Sequence, residues 1–347
     1  MKKPKANITL TGAAQVSGSG IRLALRKGIC ELRRPAGRAP EPMPIPKGRW
    51  EKKISVILCT AGVCSGLSEA VDSALAQTMR REDYEVLVVW NREDAPPITA
   101  FSPLVRWVKE PKPGISYARN TGAAHAKGEF LLYMDDDAVA DKNLAARMAA
   151  SFRGRSDTAI VGGQIFLKLP EPRPEAVLPG HEGLWSAYRV PYSRYKRVRE
   201  QYAFPYGACF AVRHSALDAL GGFPTDYGRV GAGYEGGEET ALCFMALQRG
   251  WKIGIQPKAW VEHHVEPWRF SREHVRKTIR AGILTTYRLF RDGYAPRGWD
   301  LRYVRERLEI AEEEWNRLRE TGTEWEQYYK ECEREAFWEL LQEMEEA

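Results

Sequence analysis

The chain has 347 residues and no run of about 18 apolar ones, so no membrane-spanning helix is expected. Its N-terminus lacks the apolar core of a signal peptide. Six cysteines are scattered (Cys30, Cys59, Cys64, Cys209, Cys243, Cys332), and none belongs to a double C-x-x-C pattern of zinc spacing. They read as reduced thiols in a cytoplasmic protein. Acidic residues are scarce at one end only. Residues 1–53 hold 13 Lys and Arg against 3 acids, whereas residues 301–347 hold 7 against 15, within a net charge of +6. A basic arm of that kind suits peripheral contact with an anionic membrane, stays a solvated tail, or pairs with the acidic C-terminus; no nucleic-acid partner is expected.

Against these absences stands one concentrated feature. Phe130-Leu-Leu-Tyr-Met-Asp-Asp-Asp-Ala138 is an apolar run that ends in three adjacent carboxylates. The run fits a buried strand, and an isolated carboxylate costs several kcal/mol or more to bury. The cluster therefore belongs at the exposed C-terminal end of a strand, where open α/β sheets bind ligands. Three packed carboxylates repel one another unless a cation sits among them. A divalent-metal site and a solvated acidic turn are the two readings of this stretch.

Residues 1–50 are rich in Gly, Pro, Lys and Arg, with five prolines between Arg34 and Arg49, and read as an extension and linker. Short strands at Ile8–Leu10 and Ile21–Leu25 are a weak feature of it. Beyond them, strands are predicted at Ile54–Thr60, Tyr84–Trp90, Val105–Val108, Phe130–Met134, Pro205–Val212, Trp251–Ile255 and Ala259–Glu262. Helices are predicted at Leu67–Gln77, at Tyr117–Ala126 with Ser116 as N-cap, and at Asn143–Phe152, His214–Leu220 and Ala241–Arg249. A further helix covers 271–291, and the chain is helical and acidic from Leu301. Residues 165–205 show no clear periodicity and read as a long functional loop. The alternation of strands and helices points to a Rossmann-like, mostly parallel sheet flanked by helices. The stripes Leu308, Ala311, Trp315, Leu318 and Phe337, Leu340, Leu341, Met344 suit packing on the body or on a second subunit, which would make a homo-oligomer.

Several spaced motifs between Lys53 and Ser271 together resemble the family 2 glycosyltransferases. Ile54–Thr60 looks like the nucleotide-side opening of that family, and Ala70–Thr78 like its first helix. Gly114-Ile-Ser-Tyr-Ala-Arg-Asn-Thr-Gly122 is similar to its Ala-Arg-Asn segment, and Ala126–Asp137 to its approach to an Asp-X-Asp motif. Gly221-Gly-Phe, Gly237-Glu-Glu-Thr and Ala259-Trp-Val-Glu-His263 with Arg269 and Ser271 resemble its later segments. The resemblance implies the GT-A fold: an α/β core at 51–270, divided into a nucleotide-binding half (51–140) and an acceptor-side half (141–270), with a helical C-terminal extension at 271–347.

It also implies chemistry. The donor would be a nucleotide-diphosphate sugar and the acceptor a glycan, lipid-linked or small-molecule hydroxyl. Mn2+ or Mg2+ would be held by Asp137, assisted by Asp135, with His263 completing the shell. Asp136 would take the ribose, and Thr60, Asn91 and Arg119 would contact the nucleotide; Asn91 stands where the family often has a base-reading carboxylate. Arg269 would touch the diphosphate. Glu239 aligns with the general base, carrying one methylene more than the usual Asp, and Glu238 is the alternative. Trp185, Tyr188 and Trp268 suit stacking on sugar rings or core packing. Neither membrane helices nor the Gln-X-X-Arg-Trp motif of the processive synthases is present, so single-sugar transfer with inversion is expected. The competing enzyme class, a sugar nucleotidyltransferase, needs Arg and Lys in a glycine-rich loop after the first strand, and Cys59–Gly66 contains neither. The competing binding class is a catalytically inactive homologue that recognises glycans.

Overall fold

The computed structural model describes residues 44–198, 203–295 and 298–346. The basic arm, its two short strands and Cys30 lie outside the described residues. The other five cysteines are free thiols.

Nine strands form one sheet. They are β1 (Lys52–Thr60), β2 (Tyr84–Trp90), β3 (Val105–Lys109), β4 (Gly128–Asp135), β5 (Ala138–Ala140), β6 (Thr158–Lys168), β7 (Lys196–Arg197), β8 (Cys209–Arg213) and β9 (Lys252–His264). The order is β3-β2-β1-β4-β8-β6-β9-β5, with β7 also paired to β9. β1 to β4 are mutually parallel, and β6 and β9 run parallel to each other. β8 is antiparallel to both β4 and β6, so the six long strands share one direction.

The strand sequences explain this arrangement. Ile54, Val56 and Leu58 of β1 enter one core, and Ile57 and Cys59 enter the other. β4 splits likewise, with Phe130, Leu132 and Met134 opposite Leu131 and Tyr133. A strand buried on both faces needs an unbroken apolar run and helices on both sides. The first face is covered by α1 (Leu67–Leu75) and α3 (Leu144–Phe152). The second is covered by α2 (Ile115–His125), α4 (His214–Leu220) and α5 (Glu238–Gln248). Each fully buried side chain of the size of Ile54 or Leu58 contributes about 1.5–3 kcal/mol.

Three expectations change. α2 begins at Ile115 after Gly114, and the Ser116 hydroxyl donates instead to the Tyr227 carbonyl at 2.6 Å, so it ties the helix to the glycine-rich loop. Residues 165–205, expected to be a loop, begin inside the 11-residue strand β6, which was not expected. Its Gly162-Gly163 pair hides the pattern, because the register with β9 slips there from Gly162↔Ile255 to Gln164↔Trp260. The bulge leaves Gln256 to Ala259 unpaired with β6 and accommodates Pro257 inside one continuous β9, where two strands were expected. A Cβ on Gly163 would lie 2.6 Å from the Ala259 carbonyl oxygen.

The C-terminal helices α6 (Arg272–Arg291), α7 (Leu301–Thr321) and α8 (Glu324–Glu346) build a third core. Leu308, Phe337 and Leu340 are buried in it, so much of both apolar stripes is satisfied within the chain. Arg276 and Arg280 of α6 bond Glu335 and Glu339 of α8 at 3.1 and 2.7 Å, and Arg272 bonds Glu324. C-terminal acids thus find partners on α6. Among the described residues, no helix is long and apolar enough to cross a membrane.

Gly163→Ala is expected to destabilise the protein by about 1–3 kcal/mol, because the added methyl is wedged against β9 backbone. Urea unfolding of the two proteins measures the difference; equal midpoints would show that the bulge yields without cost.

Candidate functional site

β4 ends at Asp135, the chain turns through Asp136 and Asp137, and β5 pairs antiparallel with the end of β9 in the register Ala138↔His263. The His264 amide donates to the Asp137 carbonyl at 2.9 Å. This pairing sets His263 beside the acidic turn, and strand alternation sends its neighbour to the other side, where His264 lies 3.7 Å from Glu69. His263 Nε2 stands 3.0 Å from one Asp137 oxygen and 3.9 Å from Asp135. One ligand atom from each of Asp135, Asp137 and His263 lies within 4.8 Å of the others. The loop after β1 comes close because residue 66 is glycine: a Cβ there would be 2.9 Å from the Asp137 Cα.

The carboxylates have unequal surroundings. Burial raises Asp135, and the Asp137 charge raises it further. Burial also lifts Asp136 to about 6, against the opposing hydrogen bond from Thr60. Burial opposes ionisation of Asp137 as well, but His263 and Arg269 outweigh it and hold its carboxyl below the usual range. The Asp137 oxygen that faces His263 Nε2 has no other partner, and His263 Nδ1 is buried without a hydrogen-bond partner, among the described residues. Two carboxylates and an imidazole with open lone pairs fit a hard divalent cation that also takes phosphate oxygens.

The second carboxylate group opens α5, where the helix dipole favours anions. Its N-cap Gly237 has φ of 99°. Glu238 is buried and ion-paired to the equally buried Arg119. Glu239 is otherwise placed: Arg119 lies 4.0 Å from its Oε2, which is buried and accepts no hydrogen bond among the described residues. Burial and then the Glu238 charge push the Glu239 carboxyl up to about 8. Arg119 reaches the acidic turn too, at 3.9 Å from Asp135. One guanidinium thus connects both acidic groups.

Most of the residues expected from sequence line a single cavity of about 2170 Å³: Thr60, Asn91, Arg119, Asp135 to Asp137, Glu238, Glu239, His263 and Arg269. Two also have partners within the protein. Asn91 spends both amide hydrogens on the Glu110 and Lys112 carbonyls, at 2.9 and 2.7 Å, while its oxygen accepts from the Gly114 amide. It therefore straps the β3–α2 loop and has one lone pair left for a base. Arg119 faces carboxylates of the protein, with Nη1 bonded to Glu238 and Nη2 3.9 Å from Asp135, while it also lines the cavity. Of the aromatics, Trp185 is fully buried and donates to the Arg269 carbonyl at 3.1 Å, and Tyr188 is a core residue. Trp268 is 60% exposed at the cavity and meets His274 edge to face.

Sequence reading missed Arg229, Tyr234 and His274. Arg229 and Tyr234 lie in the glycine-rich loop and line the cavity. The Arg229 guanidinium is exposed and has no hydrogen-bond or ion-pair partner among the described residues. Tyr234 bonds the buried His274, whose pKa burial, Arg269 and Arg229 lower to about 4. The available signal was an arginine in a glycine-rich loop with no acid beside it, Gly228-Arg-Val-Gly231.

The profile of Glycosyl transferase family 2 matches residues 55–221. The glucosyl-dolichyl phosphate glucuronosyltransferase of Haloferax volcanii is 24% identical over 258 residues, 72% of this chain and 78% of that protein. The poly(ribitol-phosphate) beta-N-acetylglucosaminyltransferase TarP of Staphylococcus aureus is 33% identical over 93 residues, 25% of this chain and 28% of that protein. Among solved structures, the mannosyltransferase PcManGT from Pyrobaculum calidifontis, in complex with GDP-Man and Mn2+, has a TM-score of 0.56 at 18% identity. That likeness covers 93% of this chain and 92% of that one, and it shows a shared fold.

Arg119→Met is expected to cost about 3–5 kcal/mol, since it leaves Glu238 buried and unpaired, and adding Glu238→Gln should recover part of the loss. Denaturant titration of the single and double variants checks this; equal stability of both would remove Arg119 from its central place. Glu239 gives a pH test. Its folded-state pKa near 8 lies above the ordinary 4.5, so the native state holds the proton more tightly. That contribution is full below about pH 4.5 and is lost as pH rises through about 8. The Tm of Glu239→Gln should therefore gain on wild type as pH rises from 5 to 8.5; a constant gap would contradict the burial of this charge.

Proposed function

Because this chain is a family 2 glycosyltransferase with the GT-A fold, which takes its sugar from a nucleotide-sugar donor, we propose that it transfers single sugars to an acceptor hydroxyl with inversion, assisted by a divalent cation and with Glu239 as general base. The observation that carries this reading is the pair of unlike carboxylates on α5: Arg119 locks Glu238, while Glu239 keeps an unpaired oxygen and a pKa near 8 in the cavity that also holds the acidic turn. A general base works best with a pKa close to the working pH.

Asp135, Asp137 and His263 would hold Mn2+ or Mg2+, which supplies charge neutralisation for the departing diphosphate. Asp136, hydrogen-bonded by Thr60, would accept from the ribose hydroxyls. Arg269, buried with its Nε unpartnered and 3.8 Å from Asp137, would orient that carboxylate and face the phosphates. Glu239 would take the acceptor proton as the acceptor oxygen forms its bond to the anomeric carbon. The bond from that carbon to the diphosphate oxygen breaks on the opposite face, and the electron pair leaves with the nucleoside diphosphate. Arg119 positions Glu238 and sets the field felt by Glu239.

A panel of nucleotide sugars with Mn2+ tests the reading. Wild type should release nucleoside diphosphate with one of them, and Glu239→Gln should lower kcat about 10²–10⁴-fold with donor affinity kept. The kcat/KM of wild type should rise with pH through about 8, and the variant should lack that limb. Unchanged turnover in Glu239→Gln would reject it as the base.

A further inference from the structure

Helix α6 lies beyond the residues that the family profile matches, yet it forms one wall of the cavity. Thr278, Ala281, Gly282 and Thr285 line that wall. Their spacing puts them on one face of the helix, with the two threonines two turns and about 10 Å apart. Between them stand only a methyl group and a hydrogen, so a ligand can lie close against the helix there.

Thr285 is 8% exposed, and its hydroxyl is buried without a hydrogen-bond partner among the described residues. The Thr278 hydroxyl is likewise unpartnered among them. A threonine inside a helix ordinarily satisfies its hydroxyl on a carbonyl three or four residues back. Thr286, next in the chain, does this with the Gly282 carbonyl at 2.7 Å. Leaving a buried hydroxyl unpaired is costly. Two of them on one helix face, both at the cavity, call for partners that arrive with a ligand.

The packing of Thr285 says which ligand. A Cβ on Gly237 would lie 2.6 Å from the Thr285 methyl. Gly237 is the N-cap of α5 and stands two positions before Glu239. Thr285 is therefore on the Glu239 side of the cavity, and the group that must reach a general base is the accepting hydroxyl. A threonine hydroxyl both donates and accepts, which suits a second hydroxyl of the same molecule.

We propose that α6 holds the acceptor: the Thr285 hydroxyl bonds a hydroxyl next to the one that Glu239 deprotonates, and Thr278 bonds the acceptor two turns away along the helix. The inference rests on the glycosyltransferase reading and assigns acceptor selection to side chains outside the family profile. The acceptor it selects is polyhydroxylated, with neighbouring hydroxyls such as a sugar ring carries.

The test uses the full chain with Thr285→Val, Thr285→Ser and Thr278→Val. Methyl glucoside, methyl galactoside and methyl mannoside serve as acceptor probes, with the nucleotide sugar from which wild type releases nucleoside diphosphate. Valine keeps the side-chain shape and removes the hydroxyl. Because that hydroxyl has no partner within the protein, Thr285→Val should unfold at a urea midpoint equal to or above that of wild type. Its kcat/KM for the glycoside should nevertheless fall about three- to tenfold, the loss of one hydrogen bond. Thr285→Ser restores the hydroxyl and should keep the wild-type value, and Thr278→Val should raise the acceptor KM. Binding of UDP or GDP with Mn2+ reports the donor site separately and should be equal in all four proteins. A lower midpoint in Thr285→Val, an unchanged acceptor kcat/KM, an equal loss in Thr285→Ser, or a loss matched by weaker nucleotide binding overturns the proposal. Wild type that releases nucleoside diphosphate but glycosylates none of the three probes overturns it too. Wild type that releases no nucleoside diphosphate from any donor would instead strike the glycosyltransferase reading.

Discussion

A guanidinium buried among three carboxylates is the interaction on which the site depends. Arg119 pairs with Glu238 and stands 3.9 and 4.0 Å from Asp135 and Glu239. Without a cation there, the start of α5 and the end of β4 would repel each other across the cavity. With it, the two acidic groups can sit in one cavity and still differ: Glu238 is neutralised by a direct bond, and Glu239 is left with its proton affinity raised. Arginine suits this place because it stays charged even when buried. In the proposed mechanism this arrangement would divide leaving-group chemistry at the acidic turn from proton transfer at Glu239.

The second constraint is one of register. Asp137 and His263 meet because β5 pairs with the end of β9, and that pairing depends on β9 being one long strand. The bulge at Gly163 lets β6 and β9 stay paired past Pro257. The site therefore rests on a feature of the sheet that carries no catalytic residue.

Much of this was legible in the sequence. The apolar runs Ile54–Thr60 and Tyr84–Trp90 announce strands buried on both faces, and the abrupt end of β4 in Asp135–Asp137 announces a strand-end site. The character of β6 was hidden because two glycines and a register slip break its periodicity. The split of β9 was misleading because proline inside a strand usually marks an end. Arg119 and Asn91 were recognised as site residues, yet their duties depend on tertiary partners more than 100 and about 20 residues away, Glu238 for the one and the 110–114 loop for the other. The C-terminal stripes left open whether they faced the body or a second copy, and packing within the chain buries Leu308, Phe337 and Leu340, with Leu341 and Met344 against them.

The most direct measurement of the central claim is the anomeric configuration of the product, read by proton NMR during turnover. With Glu239 as base on the acceptor and the diphosphate departing from the opposite face, the product must carry the anomeric configuration opposite to that of the donor. A product with the donor's own configuration would contradict the division of labour between Glu239 and the acidic turn.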